Sequence, residues 1–157
     1  MCAWNDIINE QSIAEFNELT NNLHDSCIKE LRYISGAYVA SDLSMHPIND
    51  QRLLRVIIQC QSKELPMIEL EFEGLQYLKL SPIDTDYTCE ISDATLLLNA
   101  KNVFWCDKGG LTEMDLEQYT GTIICAKKLK WRPISKACLG NTVIYDSKSL
   151  TRRSEGI

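Results

Sequence analysis

The chain has 157 residues, 45% of them hydrophobic and 24% charged, with a formal net charge of −6. A chain of this length buries about two-thirds of its unfolded surface, so it needs no metal or disulfide staple to fold, and its composition argues against intrinsic disorder. We therefore expect a single domain over residues 1–157, with residues 150–157 forming a flexible tail.

The sequence also argues against a membrane-spanning or secreted protein. Its longest apolar runs fall well short of the ~18–20 residues of a membrane helix, and the N-terminal residues MCAWNDIINEQ lack the basic and apolar regions of a signal peptide. The seven cysteines are odd in number and form no C-x-x-C pair, which argues against zinc-ribbon and thioredoxin-type sites. Reduced thiols are typical of the cytoplasm, and we expect a cytoplasmic protein.

Charge is distributed unevenly along the chain. Residues 1–119 carry 20 acidic and 8 basic side chains, whereas residues 120–157 carry 2 acidic and 8 basic. An acidic body repels phosphates, so nucleic-acid binding is not expected. The basic segment KKLKWRP, residues 127–133, is interpreted as a charged edge strand that resists aggregation.

The N-terminal region has the pattern of one amphipathic helix. Ser12 and Glu15 match the capping box, in which each side chain satisfies a free backbone donor of the other residue. Apolar residues then recur at near-helical spacing, and Asn21-Asn22 forms a stop signal. The pattern predicts a helix over about residues 11–22, followed by His24-Asp25 in a turn. The apolar residues of this helical pattern are Ile13, Phe16, Leu19 and Leu23.

From Cys27 onward the chain has the patterns of extended strands. CIKELRYISGAYVAS predicts a strand with a bend at Gly36, and SMHPINDQ predicts a loop because it contains Pro47. RLLRVIIQCQ predicts a second long strand. One face of this strand is expected to carry Leu54, Val56, Ile58 and Cys60.

PMIELEFEG has the cleanest period of two in the chain. Its alternation places Ile68, Leu70 and Phe72 toward the core, and Glu69, Glu71 and Glu73 toward solvent. Gly74 then predicts a bulge or a turn before LQYLKL.

Residues 91–110 are compatible with either a short helix and a strand or two strands. LTEMDLEQYTG predicts a short helix with Thr112 as its cap and Gly121 as its end. TIICAKKLKW predicts another strand, and NTVIYDS predicts a last short one. The first of these two strands is expected to place on one face Ile123, Cys125, Leu129 and Trp131.

Strands outnumber helices in this reading, and the links between strands are too short for successive βαβ crossovers. The sequence therefore predicts an α+β fold. We expect a mostly antiparallel, curved sheet or partial barrel, with the N-terminal amphipathic helix packed on it.

His24, Asp25 and Cys27 lie within four residues and admit two interpretations. In the catalytic interpretation, Cys27 and His24 form a thiolate–imidazolium pair that Asp25 orients, as in cysteine hydrolases. In the structural interpretation, His24 or Asp25 ties the end of the helix to the sheet through backbone hydrogen bonds. We favour the structural interpretation, because adjacent side chains diverge at a turn and no glycine-rich elbow follows.

The glutamate row also admits two interpretations; it consists of Glu69, Glu71 and Glu73. In one, the row is the polar face of a half-buried strand and pairs across the sheet with Lys128, Lys130 or Arg132. In the other, the row is a binding site, an acidic patch offered to a basic protein partner.

No metal or cofactor is expected. The HD pair at residues 24–25 resembles that of metal-dependent phosphohydrolases, but those sites need more histidines than the two in this chain. Asp42, His46 and Asp50 are spaced by four, yet Pro47 disrupts a helical ligand face. The glycine-rich motifs of nucleotide-binding loops are absent from the sequence.

The order of a helix, LHDSCIKEL and a set of strands resembles small uncharacterised bacterial proteins, some of them grouped with polymorphic-toxin immunity proteins. Those proteins carry an aromatic-or-Leu, His, Asp, Ser-or-Ala turn, which corresponds here to Leu23, His24, Asp25 and Ser26. Leu23 stands where an aromatic residue is more common, and the segment NVFWCDKG is similar to their later Trp-Asp segment. The resemblance covers about half of the chain and implies a non-enzymatic bacterial cytoplasmic protein that binds and blocks a toxin.

The leading hypothesis is a non-catalytic interaction protein that binds a basic, toxin-like protein through an acidic sheet surface. The alternative is a small hydrolase or ligand-binding barrel that uses His24 and Cys27. A homodimer through exposed strand edges is a third hypothesis.

Overall fold

The computed structural model describes residues 3–146, in which the chain forms one α-helix and nine strands. The predicted tail, residues 150–157, lies outside the described residues. The helix α1 spans Glu10–Thr20. The strands are β1 Asn5–Ile7, β2 Ser26–Ile34, β3 Tyr38–Val39, β4 Met45–His46, β5 Leu53–Cys60, β6 Met67–Lys79, β7 Thr95–Leu98, β8 Val103–Cys106 and β9 Ile123–Pro133.

Seven of these strands form one sheet in the order β2-β5-β6-β9-β8-β7, with β1 beside β9. All strand pairings within residues 3–146 are antiparallel. The sheet curves without closing, and β3 and β4 form a separate two-stranded hairpin. The structure thus confirms the predicted α+β class and its mostly antiparallel, curved sheet.

Helix α1 begins earlier than the sequence predicted, because its cap is Asn9 and not Ser12. The Asn9 Oδ1 atom accepts a hydrogen bond from the Ser12 backbone nitrogen at 2.8 Å, and Ser12 Oγ accepts one from the Asn9 nitrogen at 3.0 Å. These two residues form the reciprocal pair of a capping box, in which Ser12 has the role usually taken by glutamate or glutamine. The predicted stop is confirmed, since Asn21 has the left-handed φ of +51° that ends many helices.

One face of α1 packs on the sheet through Ile13, Phe16 and Thr20. Leu19, which was predicted to be buried, is 58% exposed. Thr20 is buried in place of Leu19. Its hydroxyl donates a hydrogen bond to the Phe16 carbonyl at 2.7 Å, so its burial leaves no hydrogen-bond donor unsatisfied.

The main core lies between α1 and one face of β5, β6 and β9. The alternation predicted for β5 and β6 is confirmed, because the predicted inward residues of both strands pack in this core. The buried members contributed by the two strands are Leu54, Val56, Ile58, Ile68, Leu70 and Phe72.

The strict alternation predicted for β9 is wrong. Leu129 and Trp131 pack in the main core as expected, but Ile123 and Cys125 belong to a second cluster with Phe104 and Leu116. The change of phase coincides with a bulge in the paired strand β6. There Gly74 has a φ of +63°, and a Cβ atom at this position would lie 2.9 Å from Lys127 Cγ. The register of β6 against β9 then shifts between Leu75 and Tyr77.

The remaining ambiguities of the sequence are also resolved. Residues 91–110 contain the two strands β7 and β8. Residues 113–115 form a short 3-10 helix with the predicted cap Thr112, but the predicted end at Gly121 is wrong. The predicted last strand is wrong over residues 141–146, which are irregular. Among residues 3–146, no helix has both the length and the apolar character of a membrane span.

Candidate functional site

The glutamate row lies on the face of β6 opposite the main core. Glu69 is only 3% exposed and Glu71 only 5%, so the predicted solvated row is wrong for these two residues. The side chain of Glu73 is 41% exposed. The row is covered because β5 and β9, on either side of β6, place long basic side chains over it.

The basic side chains pair directly with the glutamates across the strands. Arg132 Nη2 lies 2.8 Å from Glu69 Oε1, and Arg55 Nε lies 2.9 Å from Glu71 Oε2. Lys130 Nζ bridges Glu71 and Glu73, at 3.1 Å from each. We call these six residues the charged ladder: Arg55, Glu69, Glu71, Glu73, Lys130 and Arg132.

The charged ladder matches the cross-strand interpretation of the glutamate row. Three acids and three bases compensate each other, so Glu69 and Glu71 do not present unpaired negative charge to solvent. Buried carboxylates are tolerated in proteins when they are paired and hydrogen-bonded in this way. A binding role for the glutamate row stays a prediction.

The segment of residues 140–146 crosses the same face of the sheet and covers one end of the charged ladder. The Glu30 carboxylate accepts hydrogen bonds from the backbone nitrogens of Ile144 and Tyr145, at 2.8 and 2.9 Å. The Tyr145 hydroxyl donates to Glu69, and Gln59 Nε2 donates to the Gly140 carbonyl at 3.1 Å. Burial, and then the hydrogen bond to Glu69, raise the pKa of Tyr145 above its usual value. Glu69 is thereby covered by Tyr145 as well as by Arg132.

His24 occupies the junction between α1 and β2, as the structural interpretation predicted. Its Nδ1 atom lies 2.6 Å from the backbone carbonyl oxygen of Ser92, to which it donates a hydrogen bond, and its Nε2 atom lies 3.3 Å from Asp25 Oδ1. Ser26 and Ile91 also exchange backbone hydrogen bonds beside it. His24 therefore fastens the junction to the segment that precedes β7.

The contacts of the structure do not join His24 and Cys27 into a catalytic pair. The two ring nitrogens of His24 face Ser92 and Asp25, and Cys27 is half-buried at the start of β2. Burial, and then the neighbouring Cys89 thiol, raise the pKa of Cys27. A raised pKa lowers the fraction of thiolate, which is the nucleophilic form. This arrangement gives the hydrolase alternative no support.

The His24 contacts predict that its contribution to stability depends on pH. The hydrogen bond to Ser92, and then the charge of Asp25, raise the pKa of His24 above 6.5. The contribution is complete below the unfolded pKa and is lost as pH rises through the folded pKa. In chemical denaturation, His24→Ala should therefore lower the free energy of unfolding more at about pH 5.5 than at about pH 8.5. In the Asp25→Asn background, the loss of free energy of unfolding caused by His24→Ala should differ less between the two pH values. If His24→Ala in the otherwise wild-type chain costs the same at both pH values, the imidazolium has no stabilising role.

A group of exposed apolar side chains lies on the β3–β4 hairpin and its flanks, residues 36–51, which we call the apolar hairpin. Five of its large apolar side chains are each more than half exposed. They are Tyr38, Val39, Leu43, Met45 and Ile48. Scattered exposed apolar residues are ordinary on protein surfaces, whereas a contiguous apolar patch is typical of an interaction site.

Local interactions give the apolar hairpin a defined shape. Tyr38 pairs with His46 across the strands, and their rings stack with centroids 4.5 Å apart. At the tip, the Asp42 carboxylate accepts hydrogen bonds from the Ser44 nitrogen and hydroxyl, at 3.0 and 2.6 Å. At the base, Gly36 has a φ of +99°, which lets the chain turn out of β2. An isolated two-stranded hairpin is marginally stable in water, so an apolar partner surface would complete this one.

Leu43 is the least expected residue of the apolar hairpin. It has a φ of +69°, a left-handed conformation that favours glycine, asparagine or aspartate, and its side chain is 83% exposed. A small polar residue would be more favourable at this position, because it adopts the left-handed conformation more readily and because the side chain is exposed to solvent. Burial in the core therefore does not account for the left-handed conformation of this leucine.

The sequence reasoning missed the apolar hairpin because Pro47 and Asn49-Asp50 were interpreted as marks of a plain loop. The signal was present as apolar residues on both sides of the polar turn Ser41-Asp42, which is the pattern of a short hairpin.

No group of three or more histidine, cysteine or acidic side chains within residues 3–146 is arranged to hold a metal ion. Comparison of the chain with protein-family models, with curated proteins and with solved structures gave no match.

Proposed function

We propose that this chain is a non-catalytic protein-binding protein whose main contact surface is the apolar hairpin. The observation that carries the proposal is Leu43, which is exposed at the tip in a conformation that disfavours leucine. Tyr38, Met45 and Ile48 extend the apolar surface around it. Aromatic residues and methionine are enriched in protein interfaces, where they bury a large apolar area.

The charges of the apolar hairpin support a basic partner. Residues 36–51 contain Asp42 and Asp50 and have no lysine or arginine. Since residues 1–119 as a whole carry 20 acidic and 8 basic side chains, a positively charged protein would be attracted to the molecule. The proposal includes the identity of the partner and the setting. The partner is a basic toxin, as the resemblance to immunity proteins implies, and the protein acts in the bacterial cytoplasm.

The proposal places the contact surface on the apolar hairpin and not on the glutamate row. Glu69 and Glu71 are compensated within the charged ladder, and separating them from Arg132 and Arg55 would cost more than a new surface pair returns. Of the row, only the half-exposed Glu73 is open to a partner in this arrangement.

Photo-crosslinking in the native host tests the proposal. A benzophenone amino acid replaces Leu43 in the full chain, and a matched control carries it at Met114, which is 90% exposed on a different loop. We expect one discrete covalent adduct with a basic protein from position 43 and none from position 114. The same adducts from both positions, or no adduct from position 43, would contradict the proposal. An adduct of two copies of this chain would replace it with a homodimer.

A further inference from the structure

A cleft of about 370 Å³ opens beside the outer edge of β2, which is one edge strand of the sheet; β7 is the other. Its walls are mainly apolar and come from β2, from the long segment between β6 and β7, and from Asp107 and Thr122, which adjoin β8 and β9. The apolar side chains that line it are Ile28, Leu31, Leu80, Pro82, Ile83 and Ile91.

The cleft exists because β2 is an edge strand that is paired along its outer side only at its start. Ser26 and Ile91 exchange two backbone hydrogen bonds there, at 3.4 and 2.7 Å. Beyond this bridge, the segment that contains Leu80 and Ile83 faces β2 across the cleft. Ile28 and Leu31 form a floor that packs on the main core, whereas Leu80 and Ile83 are about half exposed. The floor is thus fixed, and the far wall is accessible.

The charged residues of the cleft are few and differ in availability. Among residues 3–146, Lys29 is the one cation in its lining. No ion pair of Lys29 occurs among residues 3–146. Asp107 is the one carboxylate in the lining, but it already accepts hydrogen bonds from the Tyr119 hydroxyl and from the Thr122 nitrogen, the latter at 3.1 Å. The cleft therefore combines an apolar floor with one cation that has no ion pair among residues 3–146, and with one carboxylate whose Oδ1 atom is engaged in hydrogen bonds within the protein.

We propose that this cleft binds a medium-chain aliphatic carboxylate. The alkyl chain lies over Ile28 and Leu31, and the carboxylate pairs with Lys29. Small-molecule sites are typically concave, lined mainly by apolar side chains and oriented by a small number of polar groups, and their volumes begin near ~300 Å³. The site is separate from the apolar hairpin and does not depend on the proposed protein partner.

Isothermal titration of the full chain with decanoate, below its micellar concentration, tests this assignment. We expect saturable binding of one decanoate per chain. Leu80→Asp places a like charge at the half-exposed wall and should weaken binding at least tenfold. Lys29→Gln should weaken it about fivefold, as expected for a partly exposed ion pair. The matched control, Met114→Asp, changes a 90% exposed apolar side chain outside the cleft and should bind like the wild type.

Titration with the neutral analogue decanol separates the two parts of the site. Lys29→Gln should leave decanol affinity unchanged, whereas Leu80→Asp should reduce it. Absence of saturable decanoate binding, or equal affinity of wild type and Leu80→Asp, would overturn the assignment. Decanoate affinity that is unaffected by Lys29→Gln would overturn the role of Lys29 and with it the preference for a carboxylate.

Discussion

Replacement of Glu71 by lysine is expected to lower the free energy of unfolding by about 3–5 kcal/mol, the range found when one partner of a buried ion pair is removed. The Glu71 side chain is 7% exposed and contacts both Arg55 and Lys130. A lysine there would place three positive charges together away from water. The two existing cations would also lose the carboxylate that compensates them.

Urea denaturation of Glu71→Lys and of a matched control, Glu73→Lys, measures this effect. Glu73 lies on the same face of β6 and also contacts Lys130, but its side chain is 41% exposed. Its reversal should cost no more than about 1 kcal/mol, as for a surface ion pair. If Glu71→Lys does not fold well enough to measure, Glu71→Gln should still be clearly less stable than Glu73→Gln. Equal, small losses at both positions would mean that the charged ladder does not stabilise the sheet.

The second large effect is expected at the tip of the apolar hairpin. Leu43→Asn should leave the free energy of unfolding unchanged or slightly raised, because asparagine tolerates the left-handed conformation at this position better than leucine does. The same change should weaken binding of the partner by at least about 2 kcal/mol, roughly thirtyfold, as for a central interface residue. Opposite directions for stability and affinity distinguish a contact residue from a structural one.

Thermal denaturation and partner titration measure these two quantities on the same samples. The control is Met114→Asn, which removes an even more exposed apolar side chain from a different loop. Its affinity for the partner should equal that of the wild type. A loss of stability in Leu43→Asn would assign the leucine to folding and remove the main argument for an interaction site.

Much of the sheet could be predicted because one face of each long strand is buried. In β6, the alternation of Ile68, Leu70 and Phe72 with the glutamates identifies the inward face without knowledge of the neighbouring strands. The predicted alternation in β9 failed because it assumed an uninterrupted period of two from Ile123 to Trp131. The positive φ of Gly74 and the register shift between Leu75 and Tyr77 in β6 change the local geometry, and a period of two along β9 alone contains no information about its partner strand.

The candidate site was less accessible to sequence reasoning, since it depends on which strands are neighbours. Glu69 and Glu71 are buried because Arg132 from β9 and Arg55 from β5 pair with them. The cross-strand interpretation of the sequence named the β9 partner Arg132 but not the β5 partner Arg55. The left-handed φ of Leu43 is not visible in the sequence, because leucine is a poor signal for that conformation. The cleft beside β2 depends on the long-range bridge between Ser26 and Ile91.

The most direct test of the proposed function is the dissociation constant of the protein that crosslinks at position 43, measured for the wild type, Leu43→Asn and Met114→Asn. We predict tight binding for the wild type and Met114→Asn, and binding weaker by roughly thirtyfold for Leu43→Asn. The same dissociation constant for all three proteins would contradict a contact surface on the apolar hairpin.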